Sequence, residues 1–158
     1  PARFAGKYYT VENAYNDPMP VQKPRPPIMI GGDGEKMTLR IVAQYADFCN
    51  VFGSPDTVAH KFEVMRRHCE SVGRPYDAIT RSNHVSLLIA ANERELAAKK
   101  ERYGDDFDLA GTPETIVDGL ERYARAGSQY VTFRMPDAGE IEPILLLGET
   151  VVPAVAAF

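Results

Sequence analysis

Gly31-Gly32-Asp33-Gly34 follows the apolar run Pro27-Ile28-Met29-Ile30 and leads at once into a helical pattern from Glu35 to Ala46. A buried parallel strand that delivers glycines to a helix N-terminus makes an anion cradle. Its backbone N–H groups point outward, the helix dipole favours negative charge, and glycine lets a phosphate come close. The same residues also read as a tight strand-to-helix turn that merely needs glycine, and the motif alone does not separate the two. Asp33 fits a phosphate site poorly, because a carboxylate beside a dianion repels it unless it turns away or caps the helix.

Other residues capable of chemistry are scattered. His60 and His68 lie eight apart, off the apolar stripe of a later helix, without the HExxH arrangement of a zinc site; they read as solvated, and no metal is expected. His84 falls in a strand that alternates between two faces, where a packed or surface histidine is the favoured reading. Arg134 and Asp137, just past the last strand, suit either ligand contact or a salt-bridged rim. No Ser-His-Asp or Cys-His set and no paired carboxylates stand out by spacing, so no catalytic residue is assigned. Cys49 and Cys69 show no CxxC spacing and read as reduced core residues, which points to the cytoplasm.

Around these residues the chain divides into an irregular first part, residues 1–26, and four strand-helix units over residues 27–158. Phe4 to Val11 suits a small hairpin arm, and five prolines between Asp17 and Pro27 make an extended connector. The first unit is Ile28–Ile30 with the helix from Glu35. The second is Phe48–Phe52, then a helix capped by Ser54 with Pro55 at its first position and Val58, Phe62, Met65, Cys69 and Val72 on one face; Gly73 and Pro75 stop it. Asn83–Ile89 is the third strand, and Asn92 with Glu95 forms a capping box for a helix toward Tyr103. Thr112 and Pro113 start another helix, which ends before Gly127 and the strand Tyr130–Phe133. A last helix is expected over Ile141 to Ala157, bent or ended by Pro153.

With 158 residues and a net charge of −4, acidic and basic groups interspersed, the chain carries neither a nucleic-acid footprint nor a polybasic membrane surface. No segment has the roughly 18 apolar residues of a membrane span. Alternating strands and helices imply a parallel sheet with right-handed crossovers, either doubly wound and open or part of a (β/α) barrel. A complete eight-stranded barrel needs about 250 residues, and four units are about half of one.

Phe4-Ala5-Gly6-Lys7-Tyr8-Tyr9, Pro20-Val21-Gln22-Lys23-Pro24, Pro26-Pro27-Ile28-Met29-Ile30-Gly31-Gly32, Tyr45-Ala46-Asp47 and Gly111-Thr112-Pro113-Glu114 occur in that order along nearly the whole chain. Together they resemble the C-terminal half of the bacterial-luciferase-like monooxygenase superfamily, and most nearly its members that use the deazaflavin coenzyme F420. The resemblance implies an α/β fold of TIM-barrel type, with these units as the fifth to eighth. It also implies that Gly31, Gly32, Asp33 and Gly34 hold the cofactor phosphate, with Phe52, Gly53 and Ser54 on the same rim. The expected protein is an oxidoreductase that moves a hydride between F420 and a small organic substrate. The alternatives are an FMN-dependent monooxygenase or a catalytically incomplete half-barrel. The first four units, where much of the ring pocket is built, lie outside this sequence, so the chain alone is expected to be inactive. Its unpaired sheet edges are expected to drive homo-oligomer formation.

Overall fold

A computed structural model of the chain describes residues 1–156 and Phe158. An exposed antiparallel hairpin, β1 (Ala2–Ala5) and β2 (Thr10–Ala14), comes first. The proline-rich stretch after it is pinned to the body by Asp47. The Asp47 carboxylate pairs with the Arg25 guanidinium and accepts the Ile28 N–H at 2.7 Å, while the amides of Asp47 and Phe48 both donate to the Ile28 carbonyl.

The body then alternates β3 (Met29–Gly31), α1 (Thr38–Tyr45), β4 (Phe48–Val51), α2 (Pro55–Val72), β5 (Thr80–Ile89), α3 (Glu93–Tyr103), β6 (Leu109–Gly111), α4 (Pro113–Arg125) and β7 (Tyr130–Arg134). All pairings in this sheet are parallel. Strands β3, β4, β5 and β7 lie side by side in chain order, and β6 joins the far end of β5 at Leu87–Ile89. A doubly wound sheet reverses its strand order at a switch point. Here the order never reverses, so right-handed crossovers put the following helices on one side, as in a barrel wall.

Side chains alternate between the two faces of that wall. Ile30, Cys49, Val51, Val85, Val131 and Phe133 pack under the helices, against Leu39 and Val42 of α1, Phe62 and Met65 of α2, and Tyr123 of α4. Both cysteines are free and buried, and burial pushes the Cys49 thiol up to about 12 and raises that of Cys69, which disfavours the thiolate. Met29, Phe52 and Tyr130, on the opposite face, remain exposed.

Local signals placed α2 well. Ser54 Oγ accepts from the Thr57 amide, Pro55 opens the helix, and Gly73 closes it in the left-handed region at φ 70°, with the Arg74 N–H reaching back to the Cys69 carbonyl. Asn92 caps α3 by accepting the Glu95 amide at 3.0 Å, and Glu95 in turn takes the Ala91 amide.

Three expectations are corrected. The first helix begins at Thr38, not Glu35, after a turn spanning residues 35–37. The short strand β6 was not anticipated, because three residues are too few for a period to register. The last helix is broken into α5 (Glu142–Leu146), a π-helical turn (Leu147–Val151) and α6 (Val152–Val155); Ala157, its expected end, lies outside the described residues. Pro153 has no N–H for the carbonyl four residues back and its ring crowds that carbonyl, so the helix widens just before it.

The Asp47 anchor sets a pH dependence. The Arg25 guanidinium, then the Ile28 amide, hold its carboxyl at about 2, below the ordinary 3.8. A carboxyl lowered on folding stabilises the fold above its unfolded pKa and loses that contribution as pH falls through the folded value. In urea unfolding, Asp47→Asn is expected to be less stable than the parent by a constant margin above about pH 5, a margin that closes as pH falls from about 4 to about 2.

Candidate functional site

Because β3 pairs in register with β4, the turns that follow these two strands lie side by side at the C-terminal edge of the sheet. Gly31 stands beside Asn50, and the Gly32 N–H donates to the Asn50 carbonyl at 3.0 Å, extending the ladder by one bond. That bond corrects the simplest picture of the cradle, since the Gly32 amide is already used. The amides of Asp33, Gly34, Glu35 and Lys36 find no acceptor among the described residues. Helix α1 behind them has Met37 at its N-cap and no side-chain cap, so its N-terminal donors are left to solvent or to an anion.

Gly32 sits at φ 129°, and a Cβ there would come within 3.2 Å of the Thr38 methyl; one on Gly34 would meet Thr38 Oγ1 at 2.8 Å. Gly32 is therefore required by the turn itself, whereas a side chain at Gly34 would need the Thr38 hydroxyl to turn away. Gly31 is different. Its φ is ordinary, and a Cβ there would find nothing closer than the Asn50 carbonyl at 3.9 Å. Asp33 is exposed and does not cap the helix.

The neighbouring turn is built differently. Gly53, at φ 110°, offers its carbonyl to the Tyr123 hydroxyl at 3.1 Å, and a Cβ on it would lie 2.9 Å from the Thr57 methyl. Ser54 spends its hydroxyl on the cap of α2. The same pattern recurs as Gly111-Thr112-Pro113-Glu114-Thr115, where a Cβ on Gly111 would meet Thr115 at 2.6 Å. Ser54 caps α2, and at α4 Pro113 brings no amide to the first turn although Thr112 makes no side-chain cap bond; the turn after β3 has neither device.

The open face of the sheet carries polar groups beside aromatic rings. Phe52, 43% exposed, meets the His84 ring edge-on at a centroid distance of 5.7 Å. His84 Nδ1 lies 3.0 Å from Thr132 Oγ1, which itself donates to the Asn83 carbonyl at 3.4 Å. With the Thr132 hydroxyl proton directed to the Asn83 carbonyl, its oxygen is free to accept from the imidazole, an arrangement that would put the His84 proton on Nδ1. Nε2 has no partner among the described residues. The sequence favoured a packed or surface role for His84; the alternation of β5 places it on the open face, half-buried against Phe52 and Thr132.

Of the remaining candidates, Asp137, His60 and His68 have structural partners. Asp137 is fully buried, paired with Lys99 at 2.5 Å, and Lys99 also bonds the Ile89 carbonyl. Arg134 is exposed at the end of β7. His60 and His68 are not simply solvated: both contact Glu35, at 3.1 Å and 2.7 Å. No group of three His, Cys, Asp or Glu among the described residues could hold a metal, and no helix is long and apolar enough to cross a membrane.

Comparison with known proteins gives this geometry a family. No curated protein matches the chain. Among solved structures, the coenzyme F420-dependent tetrahydromethanopterin reductase from Methanopyrus kandleri is similar at a TM-score of 0.75 and 18% identity, over 96% of this chain and 57% of that one. An F420-dependent secondary alcohol dehydrogenase is similar at 0.77 and 17%, over 98% and 56%. The EDTA monooxygenase of Chelativorans sp. BNC1 is similar at 0.71 and 18%, over 99% and 50%. The chain thus spans about half the length of these proteins and shares the fold of that half, the α/β wall of a TIM-type barrel. Residues 1–105 match the family model described as luciferase-like monooxygenase, and the chain belongs to that family.

Proposed function

We propose that the whole protein is an F420-dependent oxidoreductase that moves a hydride between the deazaflavin and a small organic substrate, with the cofactor phosphate held at the turn after β3. The observation that carries this reading is the run of unaccepted amides from Asp33 to Lys36 at the uncapped start of α1. Such donors suit an anion, and the absent side chain at Gly31 leaves room beside them. Likeness in fold to two F420-dependent enzymes supports the choice of cofactor.

When bound, the deazaflavin supplies a ring that accepts or gives two electrons as hydride. The chain's own residues bind and orient. In this reading the turn holds the phosphate, Phe52 offers an apolar edge to the ring or substrate, and His84 Nε2 takes a hydrogen bond or proton from a bound hydroxyl or N–H. Likeness to a monooxygenase favours a second reading, in which the same turn holds the phosphate of FMN.

The free outer edges of β3 and β7, with the exposed face between them, also support assembly of this chain with itself. Light scattering on the 158-residue chain at micromolar concentration is expected to give a dimer or larger species; a monodisperse monomer would remove that part of the proposal.

Two further measurements test the site. Gly31→Val, at an ordinary φ with open space, is expected to leave thermal stability unchanged and to weaken F420 or FMN binding by about tenfold or more in the whole protein. Unchanged affinity in that folded variant would remove the phosphate from this turn. Nitrogen-15 NMR of the His84 ring above pH 8 is expected to find Nδ1 protonated and Nε2 bare, with the preference lost in Thr132→Val.

A further inference from the structure

The turn with free amides also carries Glu35, directly after Gly34. A carboxylate there would repel any anion the amides attract. Three side chains of α2 engage that residue. His68 Nε2 lies 2.7 Å from the Glu35 carbonyl oxygen, and since a carbonyl only accepts, the imidazole donates. Lys61 Nζ lies 2.8 Å from Glu35 Oε1, and His60 Nε2 lies 3.1 Å from the same oxygen. Lys61 and His68 are seven residues apart, two turns along one face of α2. Lys61 is only 15% exposed, so this is no free surface cation. The Lys61 bond is the largest cause holding the Glu35 carboxyl below its ordinary value, with His60 adding to it.

We infer that Lys61 and His68 are positioning residues for the anion turn: His68 fixes its backbone through the Glu35 carbonyl, and Lys61 neutralises the Glu35 carboxylate and keeps it on the α2 side. The turn then offers four amide donors with no unpaired charge at Glu35 beside them. This inference rests on the reading of the turn as a phosphate site. Helix α2 thereby acts on both neighbouring turns, since its own first residues follow the turn after β4.

The test compares His68→Leu with His68→Gln, whose side-chain amide can donate to the same carbonyl, and adds Lys61→Met. Amide hydrogen exchange over residues 31–37 is one readout. The other is titration of the whole protein with FMN and F420, with riboflavin as a control that lacks the phosphate. His68→Leu is expected to speed exchange at Asp33 to Lys36 and to weaken the phosphorylated ligands by about fivefold, the worth of one net hydrogen bond. Riboflavin should be unaffected, and His68→Gln should stay within about twofold of the parent on both readouts. Lys61→Met should weaken the phosphorylated ligands alone, with exchange near the parent's. Parental exchange in a folded His68→Leu, or equal losses in the Leu and Gln variants, would overturn the inference. Failure of the unaltered protein to bind FMN or F420 would instead overturn the phosphate reading, while the exchange comparison would still decide the role of His68.

Discussion

A pleated strand sends successive side chains to opposite faces, and β5 applies that constraint to the whole molecule. It pairs with β4 at Thr80–Asn83, with β7 at Ser82–Ser86 and with β6 at its far end, so its register locates these three strands directly and β3 through β4. Val85, Leu87 and Ile89 go under the helices, while Ser82 and His84 go to the open face. Beyond Ser86 both faces are covered: Leu87 and Ile89 lie against Ile116 and Leu120 of α4, and Leu88 and Ala90 against Leu96 of α3. This is why the strand ends in an uninterrupted apolar run, the mark of a strand buried on both sides. A one-residue slip of β5 would exchange the two sets and put His84 into the core.

The candidate site is defined by a contrast among three junctions. After β4 the chain closes the next helix with Ser54, and before α4 the Thr112 hydroxyl bonds Glu114 while Pro113 occupies the first turn, needing no amide acceptor. After β3 neither device is present. An uncapped helix start with a glycine turn keeps partial positive charge at its end, and that charge is what an anion would meet. The acidic residues in the same turn would oppose it, and the one at Glu35 is countered from α2. Local backbone and distant side chain together set the electrostatics of the turn.

The open face follows the same logic of paired strands. Ser82 Oγ donates to the Cys49 carbonyl at 2.7 Å and lies 3.1 Å from Asn50 Oδ1; Thr132 fixes the ring of His84; Phe48 and Tyr130 meet edge-on across β5 at 6.3 Å. Ser82 with Asn50 and His84 with Thr132 are brought level by the parallel ladder, while Phe48 and Tyr130 meet two positions out of step. A polar group that has its partner across the strand is held in one rotamer, and an imidazole so held keeps one tautomer. The polar groups of this face are thus held by their neighbours across the sheet.

Helix α2 was legible in full from the sequence, because its cap, its Pro55, its apolar stripe and its Gly73 all act within a few residues of one another. The strand-glycine-helix junction at Gly31 was legible for the same reason, and so was the general α/β alternation. Parallel pairing followed from that alternation and the TIM-barrel type from the family resemblance; alternation alone did not give the strand order, because pairing joins residues far apart in the chain, and the ladder β3-β4-β5-β7 is what separates a barrel wall from a doubly wound sheet. The same limit hid the contact of His84 with Thr132 and that of His68 with Glu35, thirty-three residues away, while β6 was too short to register. Periodicity could mark His60 and His68 as off the apolar stripe, but not tell what the other face of α2 would meet. Residue type and short spacing determine which backbone conformations are cheap, while the partner of a polar group is decided by where the folded chain brings a second one.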